Sequence, residues 1–163
     1  MNYVFIGILV NSHGIKGEVR LLSDFELKDQ VFVPKFKLYL GKAKEAMVVN
    51  TYRKHKNFDM VTFEGFNNIN DILKYKGDYV YVNRDELNIA NYLKDDLIDM
   101  EVYTNKLIGK VTSIMKSKAH DILVINNGAK RYLVPLNEVF IASVDIASKK
   151  IHINDMEGLI NEN

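Results

Sequence analysis

Apolar positions fall in short runs along this chain, and the period of each run predicts its element. Val4-Phe5-Ile6-Gly7-Ile8-Leu9-Val10 is continuous, the pattern of a buried strand. Glu18-Val19-Arg20-Leu21 and Lys35-Phe36-Lys37-Leu38-Tyr39-Leu40 alternate, as strands with one buried face do, with Phe36, Leu38 and Leu40 sharing a face. Between them, Ser23 to Pro34 predicts an irregular, partly helical crossing anchored by Phe25, Leu27, Val31 and Phe32. Met47 to Tyr52 and Met60 to Phe63 predict two more strands, flanking an exposed basic hairpin loop, Arg53-Lys54-His55-Lys56-Asn57. The strongest helical pattern starts at Asn68, an N-cap residue, with Asp71 in the first turn. Its stripe is Ile69, Ile72, Leu73 and Lys76, and Gly77 is the stop; Tyr79 to Val82 returns to strand.

The stretch from Arg84 to Asp96 is polar and separates this half from a second β-rich half. Tyr92 and Leu93 interrupt it, and an aromatic in a linker is expected to dock against a domain. Beyond it, Met100 to Tyr103, Leu107 to Met115, Asp121 to Ile125 and Lys130 to Val134 predict strands, with Asn127-Gly128 the clearest hairpin turn. Gly109 predicts a bulge or a close approach. Pro135 ends a strand, Asn137 to Ile141 predicts one helical turn, and Val144 to Ile146 pairs with Ile151 to Ile153 around Ser148-Lys149. Leu159 and Ile160 are the apolar residues of a polar tail. Short strands with glycine-marked turns suggest barrels rather than a parallel sheet. The expected fold is mainly β: two small barrels, residues 1–86 and 96–163, joined by a linker at 87–95.

Composition narrows the chemistry. The 163 residues include no cysteine, so disulfides, thiolate zinc sites and cysteine nucleophiles are excluded. The first apolar run is far shorter than the about 20 residues that span a bilayer, and no Lys or Arg precedes it, so neither a membrane span nor a signal peptide is expected. Net charge is only +1, yet residues 1–83 hold 12 Lys/Arg against 9 Asp/Glu while residues 84–163 hold 10 against 12. With only four arginines, extensive base-specific readout is not expected, while local phosphate contact stays open.

None of the four histidines pairs at metal-ligand spacing, no Gly-x-Ser-x-Gly elbow is present, and the paired carboxylates lie in solvated stretches. No metal and no cofactor is expected, and no catalytic residue is assigned. Gly14-Ile15-Lys16-Gly17 carries the letters of a KH loop, but that loop joins helices, and here both flanks read as strands. Nor is there the Gly-Lys-Ser/Thr of a nucleotide-binding loop. Two glycines three apart between strands need a left-handed backbone or close approach.

The ordered motifs resemble the bacterial ribosome maturation factor RimM family. Ile6 to Arg20 is similar to its leading pattern, an apolar strand followed by His-Gly-x-x-Gly-Glu-Val-Arg. Ile69 to Val82, Tyr92-Leu93-Lys94-Asp95-Asp96-Leu97-Ile98, Gly109-Lys110-Val111, Ala119 to Leu123, Val134-Pro135, Val144 to Ile153 and Glu157-Gly158-Leu159 follow in the family's order. Leu93 replaces the second tyrosine of a Tyr-Tyr pair, and Asp99 stands where the family has glycine. The resemblance implies an N-terminal translation-protein-type β-barrel, a C-terminal PRC-barrel and a non-enzymatic, cytoplasmic, monomeric assembly factor. It implies binding to the head of the immature small ribosomal subunit through a ribosomal protein of the S-nineteen type, and help with folding and processing of 16S rRNA. The residues expected to touch RNA or protein are His13, Gly14, Lys16, Gly17, Arg20, Arg53, Lys54, Lys56, Tyr92 and Leu93. The alternative is a PRC-barrel adaptor for a non-ribosomal protein.

Overall fold

The computed structural model describes residues 1–154 and the backbone of a last strand, residues 160–162. It divides into two compact units, Met1–Asn88 and Ile89–Asn163.

In the first unit the alternating sequences become β1 (Tyr3–His13), β2 (Glu18–Leu22), β3 (Lys37–Leu40), β4 (Glu45–His55), β5 (Phe58–Phe63) and β6 (Tyr79–Asn83). They close into a barrel in the order β1-β2-β5-β4-β3-β6, so no strand edge is left unpaired. The interior is filled by Leu9, Val19, Leu21, Leu38, Leu40, Val49, Val61, Phe63, Val80 and Val82. A one-turn helix, α1 (Lys28–Val31), lies in the predicted crossing and buries Val31, with Phe32 beside it.

Three expectations change here. β1 is not buried on both faces: Ile6 and Leu9 enter the core, while Tyr3 and Phe5 are 38% and 46% exposed on the outside. The run is continuous because aromatics pave its outer face. Second, Arg53, Lys54 and His55 are not loop residues. They continue β4 opposite Met60, Asp59 and Phe58, and only Lys56-Asn57 turns the chain, with Lys56 at φ 54°. Third, the predicted helix is short: α2 (Ile69–Ile72) passes into a 3-10 turn at Leu73–Tyr75. A 3-10 turn eclipses every third side chain, so Ile72 and Tyr75 are buried and Leu73 is exposed. The Asn68 side chain caps α2 by accepting from the Asn70 N–H at 2.7 Å, as its residue type predicts.

The second unit is a seven-stranded sheet: β7 (Glu101–Tyr103), β8 (Leu107–Met115), β9 (Ile122–Asn126), β10 (Arg131–Pro135), β11 (Ile141–Asp145), β12 (Lys150–Ile153) and β13 (Ile160–Glu162). Its order is β11-β12-β7-β8-β9-β10-β13. All pairs are antiparallel except β12 with β7. Its core gathers Leu97, Met100, Val102, Val111, Leu123, Ile125, Val134 and Ile151, with Tyr92 packed against it. Gly109 is a close approach: a Cβ there would stand 2.6 Å from the Asn126 carbonyl oxygen. Asn137 to Ile141 closes the expected single turn: the Ile141 N–H donates to the Asn137 carbonyl at 2.9 Å, and the Asn137 side chain accepts from the Val139 N–H at 2.9 Å as a helix cap does. The expectations for Glu157, Gly158 and Leu159 lie outside the described residues.

Candidate interaction surface

Strand register builds the site. His13 faces Glu18 across the β1–β2 turn, and Arg20 lies two residues beyond Glu18 on the same face. Arg20 is opposite Met60 of β5, and Met60 is opposite Arg53 of β4. The five side chains therefore share the outside of the barrel. Arg20 Nη2 donates to His13 Nδ1 at 2.7 Å, and its guanidinium carbon lies 5.8 Å from the centre of the Phe58 ring. Arg53 grips Glu18 with two hydrogen bonds, Nε to Oε2 at 2.9 Å and Nη2 to Oε1 at 2.8 Å. That grip holds the Glu18 carboxyl below its ordinary range, with burial opposing it and the positive charge of Arg53 adding to it. The His13 and His55 rings are 6.0 Å apart. Met60 is fully buried between the two arginines although it stands outside the barrel core.

From this frame the loop Gly14–Gly17 projects. Its two glycines differ. Both take left-handed backbone, at φ 70° and 87°, but a Cβ at Gly14 would meet nothing, whereas one at Gly17 would collide with the Phe66 carbonyl oxygen. Gly17 lets the loop lie against the segment leading into α2, where the Ile69 N–H donates to the Ile15 carbonyl at 3.1 Å. The tip is left exposed: Lys16, and Ile15 at 77%.

On the other side of β5, Asp59 is the one buried charged residue among those described. Lys28 approaches its Oδ2 at 2.8 Å, Lys54 its Oδ1 at 3.6 Å, and the Tyr52 hydroxyl donates to Oδ1 at 2.6 Å. Burial, followed by that hydrogen bond and the carboxylate's charge, pushes the Tyr52 phenol up to about 12.

The sequence-predicted residues thus separate. His13, Arg20 and Arg53 come together but are engaged with one another or with Glu18. Lys54 turns to Asp59. Gly17 is packed and Gly14 open. Lys16 and Lys56 are exposed and make no ion pair with a described residue. In the second unit Tyr92 borders a groove of about 530 Å³ with Asn91, Leu136, Ile141, Val144 and Ile146. Leu93 is a correction. It is 3% exposed, so its side chain faces inward and presents no surface to a partner. Its N–H is held by Asp96 Oδ2 at 2.7 Å, which starts the 3-10 turn Lys94–Leu97. Ile15, Glu18, Phe58, Met60 and Asp59 also belong to this surface, although no sequence motif singles them out as site residues. The period of two along β2 was the available signal for Glu18; nothing local marks Asp59, whose partners come from α1 and β4.

Among the described residues no group of histidine and carboxylate side chains is placed to hold a metal ion. No helix among them is long and apolar enough to cross a membrane.

The RimM N-terminal domain model matches residues 4–87, and the RimM PRC barrel domain model matches residues 94–159. A protein named ribosome maturation factor RimM from Staphylococcus haemolyticus is 41% identical across 97% of this chain and 99% of its own length. One of the same name from Shouchella clausii is 34% identical across 99% of each. A crystal structure described as a 16S ribosomal RNA processing protein RimM of Pseudomonas aeruginosa aligns over 94% of this chain and 97% of its own, with 21% identity and a TM-score of 0.48. With both halves matched by family models and full-length relatives above 30% identity, this chain belongs to the RimM family of ribosome maturation factors.

Proposed function

We propose that the protein is a cytoplasmic, non-catalytic assembly factor that acts as a monomer. It binds the head of the immature small ribosomal subunit, meets a ribosomal protein of the S-nineteen type and assists 16S rRNA folding and processing. A factor that binds a near-native arrangement more tightly than its competitors shifts the population toward it, with no bond made or broken. The full-length likeness to proteins named ribosome maturation factors carries this reading.

The surface suits the task. The paired arginines and histidines brace the Gly14–Gly17 loop so that Lys16 and Ile15 project from a rigid base. Lys16 and Lys56 are free to meet phosphate, a contact that weakens with salt through counterion release. The groove beside Tyr92 is lined by both apolar residues (Leu136, Ile141, Val144) and polar ones (Asn91, Asn137, Glu138), and the acidic balance of the second half complements a basic ribosomal protein.

Co-sedimentation with small-subunit particles from cells lacking the protein tests this. Wild type is expected to associate at low salt. A Lys16→Ala/Lys56→Ala variant is expected to bind more weakly with a shallower salt dependence, and Tyr92→Ala to bind more weakly at every salt concentration. Failure of wild type to associate at low salt overturns the reading.

A further inference from the structure

The outer face of β1, β6 and β3 carries a second feature. Tyr3 and Phe5 on β1, Tyr79 and Tyr81 on β6 and Tyr39 on β3 stand side by side, with Phe5 opposite Tyr81 and Tyr81 opposite Tyr39. Their rings meet edge to face at 5.2 Å (Tyr3–Tyr39 and Phe5–Tyr79), 6.1 Å (Phe5–Tyr81) and 6.2 Å (Tyr3–Tyr81). Such cross-strand pairs stabilise a sheet. Stabilisation alone does not require Tyr3, Phe5 and Tyr79 to remain 38%, 46% and 53% exposed as one patch.

The charge on this face distinguishes between partners. The Lys44 ammonium sits over the Tyr81 ring at 4.2 Å and over Tyr3 at 5.6 Å, within the aromatic patch. Lys42, in the same turn, is exposed. Carboxylates lie nearby and keep their charge, but Glu86 accepts from the Tyr39 hydroxyl at 3.5 Å, Glu45 is drawn to the Tyr75 hydroxyl at 2.5 Å and the Asp78 side chain lies beside Gly41, and none of them is paired with Lys44, the cation seated among the rings. Lysine is depleted from the centres of protein–protein interfaces. Exposed rings on a strand face with a cation among them are the combination that holds unpaired bases by stacking and their phosphates by charge.

We propose that this face binds a single-stranded RNA segment, stacking unpaired bases on Tyr3, Phe5 and Tyr79 and placing a phosphate beside Lys44. It rests on residues other than those of the Gly14–Gly17 loop and stands or falls separately from the subunit-binding reading.

Fluorescence anisotropy with the full chain tests it, using a labelled 12-nucleotide unstructured RNA and a duplex of the same length. The single strand is expected to bind more tightly than the duplex. Phe5→Ser/Tyr79→Ser is expected to weaken single-strand binding tenfold or more. Should that variant fail to fold by circular dichroism, Lys44→Met provides the test: the slope of log affinity against log salt is expected to fall by about 1. Equal affinity for duplex and single strand, or binding unchanged in a folded variant, overturns the proposal. So does crosslinking in immature subunits from Phe5 and Tyr79 to a ribosomal protein and not to RNA.

Discussion

The guanidinium of Arg20 donates a 2.7 Å hydrogen bond to Nδ1 of His13 across the β1–β2 turn. An arginine has donors and no acceptor, so in this hydrogen bond His13 Nδ1 offers its lone pair, which leaves Nε2 as the ring nitrogen that carries the N–H. The Arg20 Nε–H is buried without a partner among the described residues, which leaves the bond to His13 as an important anchor of that guanidinium. His13→Ala is expected to destabilise the fold by about 1–3 kcal/mol, the cost of stranding a partly buried donor, and His13→Asn to recover part of it. Urea denaturation measures the first, and long-range nitrogen–proton NMR reads the tautomer. An Nδ1–H tautomer for His13 would contradict the assignment.

The two loop glycines are expected to behave differently. Gly14→Ala places a Cβ in open space at φ 70° and costs about 1–2 kcal/mol for the left-handed backbone alone. Gly17→Ala adds a collision with the Phe66 carbonyl oxygen, so its melting temperature should fall well below that of Gly14→Ala. Equal thermal shifts would show that the loop does not rest on that segment.

Asp99 keeps a left-handed backbone, φ 70°, at the position where the family resemblance led us to expect glycine. Its N–H donates to the Val111 carbonyl at 2.8 Å, which fixes the turn whichever residue occupies it. Asp99→Gly relieves the backbone strain while adding freedom to the unfolded chain, for a net gain of up to about 1 kcal/mol. Asp99→Val has the opposite sign, because a β-branched side chain tolerates this region poorly. Chemical denaturation of the two variants measures both.

Stability should depend on pH at both ends of the scale. The Tyr52 and Tyr75 phenols are each pushed up to about 12, by burial first and then by donation to Asp59 and Glu45. A raised pKa in the folded state means that their contribution is complete below about pH 10 and lost as pH rises toward 12. Glu18 runs the other way. Its lowered pKa gives stability that is present above the ordinary carboxylate range and lost as pH falls through the folded value. Tyr52→Phe is expected to flatten the alkaline limb of the melting profile, and Glu18→Gln the acid limb. Ultraviolet titration of the nine tyrosines should find Tyr52 and Tyr75 among those ionising late, near 12, and each single Phe substitution should remove one such step.

Much of the fold is local information. Alternation at Glu18 to Leu21 and at Lys37 to Leu40 sets which side chains face inward, and Asn127-Gly128 and Asn68 mark a turn and a cap through their own backbone chemistry. The ordered motifs from Ile6 to Leu159 were enough to place the chain in its family. Sequence also marked the loop with His13, Gly14, Gly17 and Arg20 as a unit.

What those residues do was decided only by tertiary structure. Arg20 and Arg53 both read as free cations, but pairing of β2 with β5 sets Glu18 beside the β4–β5 hairpin, where it meets a guanidinium 35 residues away. Leu93 read both as a residue that docks onto its domain and as a partner contact, and burial leaves it only the first role; the run at Val4 to Val10 read as buried because continuous hydrophobicity does not say whether the second face meets a core or solvent. Local propensity acts over a few residues, whereas pairing register and burial depend on which distant strand arrives alongside. For this reason the strands could be read from the chain, while the braced loop and the exposed aromatic face could not.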